Sequence, residues 1–134
     1  MKFLLDTDTC ICAIKQGASV LRRLLSESRA DIAVSVITEG ELRTGAAKSS
    51  NADKTRRRVE NFLRRLSILE FTSEDAASYA QIRARLERAG TPIGPLDTLI
   101  AAQAVLRKLT LVTNNQREFS RIPGLRVENC RLRR

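Results

Sequence analysis

Short apolar runs alternate with longer stretches of helical periodicity along nearly the whole chain, and this alternation limits the fold more than any other feature. Residues 2–6 read as a short buried strand carried by Phe3-Leu4-Leu5 and closed by Asp6. Ile32–Ser35, Ile68–Phe71 and Leu109–Thr113 read as further strands, and Leu125–Glu128 as a fifth at the sheet edge. Between them, helical patterns cover Ile11–Lys15 and Val20–Ser28 with a break at Gly17, then Thr38–Ala47, Asp53–Leu66, Glu74–Ala89, Leu96–Lys108 and a short turn at Gln116–Phe119. Thr7 to Thr9 is expected to be a loop that caps the first helix. Val59, Phe62, Leu63 and Leu66 follow the i, i+3, i+4, i+7 rule, with Lys54, Arg57, Arg58, Arg64 and Arg65 opposite. In the helix from Glu74, Ala77, Ala80, Ile82 and Leu86 are available for packing, and Gly90 marks its end. Strands that alternate with helices predict right-handed crossovers and an α/β fold. Its sheet is mainly parallel, of four to five strands, with helices on both faces. A length of 134 residues, with no low-complexity linker and no internal repeat, predicts a single domain over residues 1–134.

In such a sheet the carboxyl ends of the strands border the crevice where ligands bind. Three acids fall there. Asp6 closes the first strand, Glu41 follows the second by a few residues, and Asp97 opens the apolar helix of Leu99-Ile100-Ala101-Ala102. Two carboxylates ~5 Å apart repel by about 3 kcal/mol at an effective dielectric near 20, so a cluster calls for a cation. Oxygen donors suit Mg²⁺ or Mn²⁺, which activate water and neutralise charge on a phosphodiester. Ile37 and Glu41 share a helix face at i, i+4, which sets Glu41 at the core's border and turns Glu39 away. Asp8 is expected to be a cap for the following helix or a second-layer contact. Thr113-Asn114-Asn115 follows the fourth strand into the same crevice, where Asn115 orients water or phosphate and Glu118 supplies a fourth carboxylate, or the segment is an ordinary Asx turn.

Composition removes several alternatives. The chain has no histidine, which excludes Ser-His-Asp and Cys-His nucleophile systems and any nuclease working through imidazoles. Its net charge of +9 is clustered, and points to a nucleic-acid partner. The odd set Cys10, Cys12 and Cys130 lacks disulfide or zinc-knuckle spacing and reads as reduced thiols. No secretory leader and no membrane span are legible, so a cytoplasmic protein is expected.

These segments together resemble the PIN-domain ribonucleases, in particular the VapC toxins of bacterial toxin–antitoxin pairs and their branch that cuts initiator tRNA. The resemblance is carried by Phe3-Leu4-Leu5-Asp6-Thr7-Asp8-Thr9-Cys10-Ile11, by Ser35 to Ala46, by Gly90 to Asp97 with Leu99-Ile100-Ala101, and by Val112-Thr113-Asn114-Asn115 through Gly124. It implies a PIN domain whose metal-binding acids match Asp6, Glu41 and Asp97. The fourth position falls near Asn115 or Glu118. Position 8 is commonly Asn in that family and is Asp8 here. The resemblance further implies Mg²⁺- or Mn²⁺-dependent hydrolysis leaving 5′-phosphate ends, a homodimer, a tRNA substrate and a VapB-type antitoxin as partner.

Arg57, Arg58, Arg64 and Arg65, with Arg126, Arg131, Arg133 and Arg134 in the tail, are expected to guide RNA phosphates toward the acids. Two rivals compete. Leu4-Leu5-Asp6-Thr7-Asp8 looks like the Asp-x-Asp opening of haloacid-dehalogenase-like phosphatases, but Cys10 stands where that family wants Thr or Val, and no second acid follows Asp97. A non-catalytic RNA-binding module on the same fold would keep the basic stripe and tolerate loss of the acids.

Overall fold

The computed structural model describes residues 1–17 and 29–129. Five strands form one parallel sheet: β1 (Phe3–Leu5), β2 (Ile32–Ser35), β3 (Ser67–Leu69), β4 (Thr110–Val112) and β5 (Arg126–Glu128), in the spatial order β3-β2-β1-β4-β5. The helices are α1 (Thr7–Gln16), α2 (Val36–Ala47), α3 (Ala52–Leu63), α4 (Ser73–Arg88), α5 (Pro95–Arg107) and α6 (Gln116–Phe119), with a 3-10 turn at Arg29–Asp31 leading into β2. Expectations for Val20–Ser28, Cys130, Arg131, Arg133 and Arg134 concern residues outside those described. Among the described residues, no helix is long and apolar enough to cross a membrane.

Successive strand residues point to opposite faces, and each face meets its own helices. Phe3, Leu5, Ile32, Val34 and Val112 pack against Cys10 and Ala13 of α1, Leu42 and Ala46 of α2, and Val59, Phe62 and Leu63 of α3. Leu4, Ala33 and Leu111 point the other way, onto Leu86 of α4, Ile100, Ala101 and Ala104 of α5, and Phe119 of α6. The central strands are covered on both sides, which is why they read as continuous apolar runs rather than alternating ones.

Several boundaries differ from the sequence reading, each for a local reason. Thr7–Thr9 is the first turn of α1 rather than a loop, because Asp6 itself caps that helix. α2 starts at Val36, before Thr38, because the Ser35 side chain accepts the Ile37 N–H at 3.0 Å and the strand passes directly into helix. α3 stops at Leu63, short of Leu66: Arg65 and Leu66 donate their N–H groups to Phe62 and Leu63, three residues back, and the tightened turn frees Ser67–Leu69 to pair with Ala33–Ser35. β3 ends before Phe71, and the Glu70 carbonyl accepts instead from Gln103 Nε2 at 3.0 Å and from Arg107 at 3.1 Å.

Ala77 and Ala80, expected to pack, are exposed; the fully buried residue in that part of α4 is Asp75. Its carboxylate closes a capping box with Thr72 and accepts from Gln103 Nε2 at 3.2 Å and Arg107 Nη2 at 2.8 Å. Burial pushes Asp75 upward, but hydrogen bonds from Arg107, Thr72 and Gln103 and the nearby guanidinium charge outweigh it and hold the carboxyl below the usual range. This clasp fastens α5 to α4, and α5 carries Asp97.

Candidate active site

From β1 the chain builds outward through β2 and β3, then returns to the other side of β1 for β4. The strand order therefore reverses between β1 and β4, which opens a crevice at their carboxyl ends. Asp6 stands at that point. Its N–H donates to the Val112 carbonyl at 3.1 Å, tying the end of β1 to the end of β4. Oδ1 accepts the Thr9 N–H at 2.9 Å as the cap of α1, and Oδ2 accepts the hydroxyl of Thr113, the first residue past β4. Only 4% of Asp6 is exposed. Burial raises its carboxyl above the ordinary value although these hydrogen bonds pull it down.

α5 leads into the start of β4, so its N-terminus lies at the same carboxyl edge. No side chain caps it; Gly94 precedes Pro95 at the first helical position, a residue that has no N–H to leave unpaired. Asp97 sits in this first turn, partly buried. Burial, and then the charges of Asp6, Glu118, Glu41 and Asp8, push its carboxyl up to about 6. Four acids from three separate segments thus act on one group.

Glu41, also partly buried, projects from α2 and accepts the Thr7 hydroxyl at Oε1, 2.5 Å away. Glu39, expected to turn away, is itself partly buried and forms an ion pair with Arg43 at 2.9 Å. Asp8 is exposed in the first turn of α1 and caps nothing; that role belongs to Asp6. Asn115 and Glu118 stand together: the Asn115 amide donates to Glu118 Oε2 at 2.7 Å, and its N–H donates to the Thr113 hydroxyl at 2.9 Å.

The donors facing the crevice are oxygens. Cys10 lies close enough to feel Asp6 and Glu41, but burial drives its thiol well above its ordinary value, so it stays protonated and offers no soft ligand. Such a set suits a hard dication. Among the described residues, no three acidic or thiol side chains close into a ready-made cage. Each of Asp6, Glu41 and Glu118 instead leans on a neighbouring hydroxyl or amide. A cation that keeps several waters and takes one or two carboxylates directly fits this spacing better than one needing full encirclement.

The hydroxyls of Thr7 and Thr113, bonded to Glu41 and Asp6, are contacts to the acids that the sequence reading gives no role. The available signal is position: one directly follows the first acid, and the other stands one residue beyond a buried strand.

Of the four arginines expected on one helix face, Arg57 and Arg58 lie on α3, whereas Arg64 and Arg65 fall in the turn after Leu63, where the helix has ended. Arg58 forms part of a groove of about 240 Å³ between α1, α2 and α3 whose lining includes Glu41, Ile14, Leu42 and Val59. It donates to the Ile14 carbonyl at 3.4 Å. Arg58 and Arg65 both line an adjoining hollow of about 210 Å³. Arg57 and Arg64 line neither groove and are exposed. Arg126 is exposed on β5, where it donates to the Lys108 carbonyl at 2.6 Å.

The PIN domain family model matches residues 3–125. The chain is 44% identical to the tRNA(fMet)-specific endonuclease VapC of Salmonella typhimurium over 129 residues, 96% of this chain and 98% of that protein. It is 40% identical to the tRNA(fMet)-specific endonuclease VapC of Shigella flexneri, with the same coverage. Its fold is similar to that in the crystal structure of DNA-bound VapBC from Salmonella typhimurium, with a TM-score of 0.91, 44% identity, and 97% and 98% of the two chains covered. A chain that matches at this level from β1 through α6, and whose acids border the crevice of a parallel sheet in the order β3-β2-β1-β4-β5, belongs to the PIN-domain family and within it to the VapC group.

Proposed function

We propose that this protein is the toxin of a type II toxin–antitoxin pair, an Mg²⁺-dependent endoribonuclease that cuts tRNA and folds as one domain over residues 1–134. The observation that carries this reading is Asp97, pushed up to about 6 by burial and by the charges of Asp6, Glu118, Glu41 and Asp8 in a chain whose net charge is +9. An acidic hollow in a basic protein suits a cation beneath a polyanion. Asp6, Asp97 and Glu41 are the residues to hold Mg²⁺, or Mn²⁺ in its place. When bound, the ion supplies a polarised water and neutralises charge developing on the phosphodiester. Thr113 and the Thr9 N–H hold Asp6 in one orientation, and Asn115 does the same for Glu118, the fourth carboxylate. With no imidazole in the chain, no histidine base or acid takes part.

Substrate and partners follow from the relatives, two of which are named as tRNA(fMet)-specific endonucleases and one of which is solved as a VapBC complex. The proposal extends to initiator tRNA as substrate, a VapB-type antitoxin as inhibitor, pairing into a homodimer, and action in the cytoplasm, where Cys10 and Cys12 remain free thiols. Arg58 and Arg65 lead RNA toward Glu41, and Arg57 and Arg64 add to the positive field.

The test is cleavage of purified tRNA with mapped 5′ ends. Wild type with Mg²⁺ is expected to give discrete 5′-phosphate products, and Asp6→Asn and Asp97→Asn each to lose about 100-fold or more in rate. Cleavage that persists in chelator, or in both variants, defeats the proposal.

A further inference from the structure

We propose that Thr7 is a positioning residue for Glu41: its hydroxyl, fixed at the first turn of α1, orients the Glu41 carboxylate toward the crevice that Asp6 and Asp97 border. The inference rests on the metal-dependent reading above and concerns how this chain sets one of its acids.

Thr7 and Glu41 lie 34 positions apart and on different helices. Their contact is therefore a product of the tertiary fold. The 2.5 Å separation of Thr7 Oγ1 from Glu41 Oε1 is that of a charge-assisted hydroxyl–carboxylate bond. Thr7 Oγ1 also lies 3.3 Å from Oγ1 of Thr38, which is fully buried one turn before Glu41 on α2. A hydroxyl carries one proton, so Glu41 Oε1 and Thr38 Oγ1 compete for it, and the shorter contact, to the carboxylate, takes it. Thr7 Oγ1 thus sits against two α2 side chains, Thr38 and Glu41, one turn apart.

The anchor is stiff. Thr7 directly follows Asp6, whose backbone is tied to Val112 and whose carboxylate caps α1. A β-branched side chain restricts χ1, so the Oγ1 position is set by the helix start. Glu41 has three side-chain torsions and projects from the middle of α2, and it needs such a partner to keep one rotamer. The Asp6–Thr7 dipeptide thus serves two acids at once: Asp6 presents its own carboxylate, and the next residue aims that of Glu41.

The experiment compares wild type, Thr7→Val, Thr7→Ser, Glu41→Gln and the Thr7→Val/Glu41→Gln double variant. It measures tRNA cleavage across a range of RNA concentrations up to saturation, Mn²⁺ affinity of the purified protein by electron paramagnetic resonance, and Tm. Thr7→Val keeps the shape and removes the hydroxyl. It is expected to lower the chemical rate about tenfold and to weaken Mn²⁺ binding severalfold, with KM for RNA little changed. Thr7→Ser is expected to restore both, and Thr7→Val is expected to cost nothing further once Glu41 is Gln. Wild-type rate and Mn²⁺ affinity in Thr7→Val would overturn the inference. So would an equal loss from Thr7→Val in the Glu41→Gln background, or a folded Thr7→Ser protein that fails to recover. Mn²⁺ binding that follows this pattern without any RNA cleavage removes the ribonuclease reading and keeps the role of Thr7, whereas a wild type that binds no Mn²⁺ ends both.

Discussion

Asp97 shows how a single side chain inherits its chemistry from its surroundings. Nothing in Pro95-Leu96-Asp97-Thr98 distinguishes it from an ordinary acid in a first helical turn, where the helix dipole alone would favour its charged form. Burial, and then the charges of Asp6, Glu118, Glu41 and Asp8, override that and raise it to about 6. A carboxyl whose folded value lies above its unfolded one stabilises the fold fully at pH below about 3.9, and that stabilisation is lost as pH rises through 6. In metal-free protein, Asp97→Asn is therefore expected to raise stability more at pH 7.5 than at pH 5, by roughly 0.5–1 kcal/mol once partial exposure is discounted. Denaturant unfolding at the two pH values checks this, and an equal effect at both would mean that the carboxylates do not crowd Asp97 in solution. The expectation that Asp97 lies among acids is legible from its place at the opening of an apolar helix in a chain of alternating strands and helices. Asp6, Glu41 and Glu118 are expected in the same crevice from sequence, whereas the charge of Asp8, expected as a cap or second-layer contact, is a neighbour that only the fold supplies.

Two elements decide how the site is carried. α5 brings Asp97 to the crevice, and its pose depends on Arg107 and Gln103 gripping the buried Asp75 of α4 and the Glu70 carbonyl. The sequence reading assigns packing on α4 to Ala77 and Ala80. An acid at position 75 reads from sequence as solvent-facing, and only a cation and an amide from another helix make its burial affordable. Arg107→Met is expected to cost about 3 kcal/mol, because it leaves a buried carboxylate without its cation. The Asp75→Asn/Arg107→Met double variant is expected to lose less than the sum of the single losses, read by chemical denaturation. In α3 and the turn after it the alternation of apolar and basic residues is visible in sequence, but the division of the arginines is not. Arg58 and Arg65 line grooves beside α1, whereas Arg57 and Arg64 do not. If single-stranded RNA tracks along those grooves, removing Arg58 or Arg65 is expected to reduce the salt slope of RNA binding by about 0.7 each, and removing Arg57 or Arg64 by less. Equal slopes for all four variants would make the stripe a diffuse field rather than a path.

The molecule as a whole combines a net charge of +9 with a hollow of carboxylates at the switch point of its sheet. Those carboxylates repel one another in the folded state and separate in the unfolded chain, so a dication that binds the fold alone is expected to stabilise it by linkage. At about 100 times its dissociation constant, Mn²⁺ is expected to add ~2.7 kcal/mol, a rise of several degrees in Tm for a domain of this size. Chelator is expected to reverse the shift, and Asp6→Asn to abolish it. An unchanged Tm across a Mn²⁺ titration followed by calorimetry would contradict metal binding at these acids.

Periodicity and strand-end position make much of this architecture readable before any coordinates exist. Buried strands such as Ile32–Ser35 announce themselves as apolar runs because both faces are covered, and α3 announces itself through Val59, Phe62 and Leu63. Strand ends also point to Asp6, since a chain leaving a buried parallel strand must surface at the binding edge. The partners of the acids are another matter. Thr113 meets Asp6 across 107 positions and Thr7 meets Glu41 across 34, and neither pairing leaves a local trace. Helix starts at Thr7 and Val36 likewise depend on capping bonds from Asp6 and Ser35. Local pattern responds to which face of an element is apolar. Hydrogen-bond partners and charge neighbours depend on how distant segments come together, and that is a property of the assembled sheet and its two helical layers.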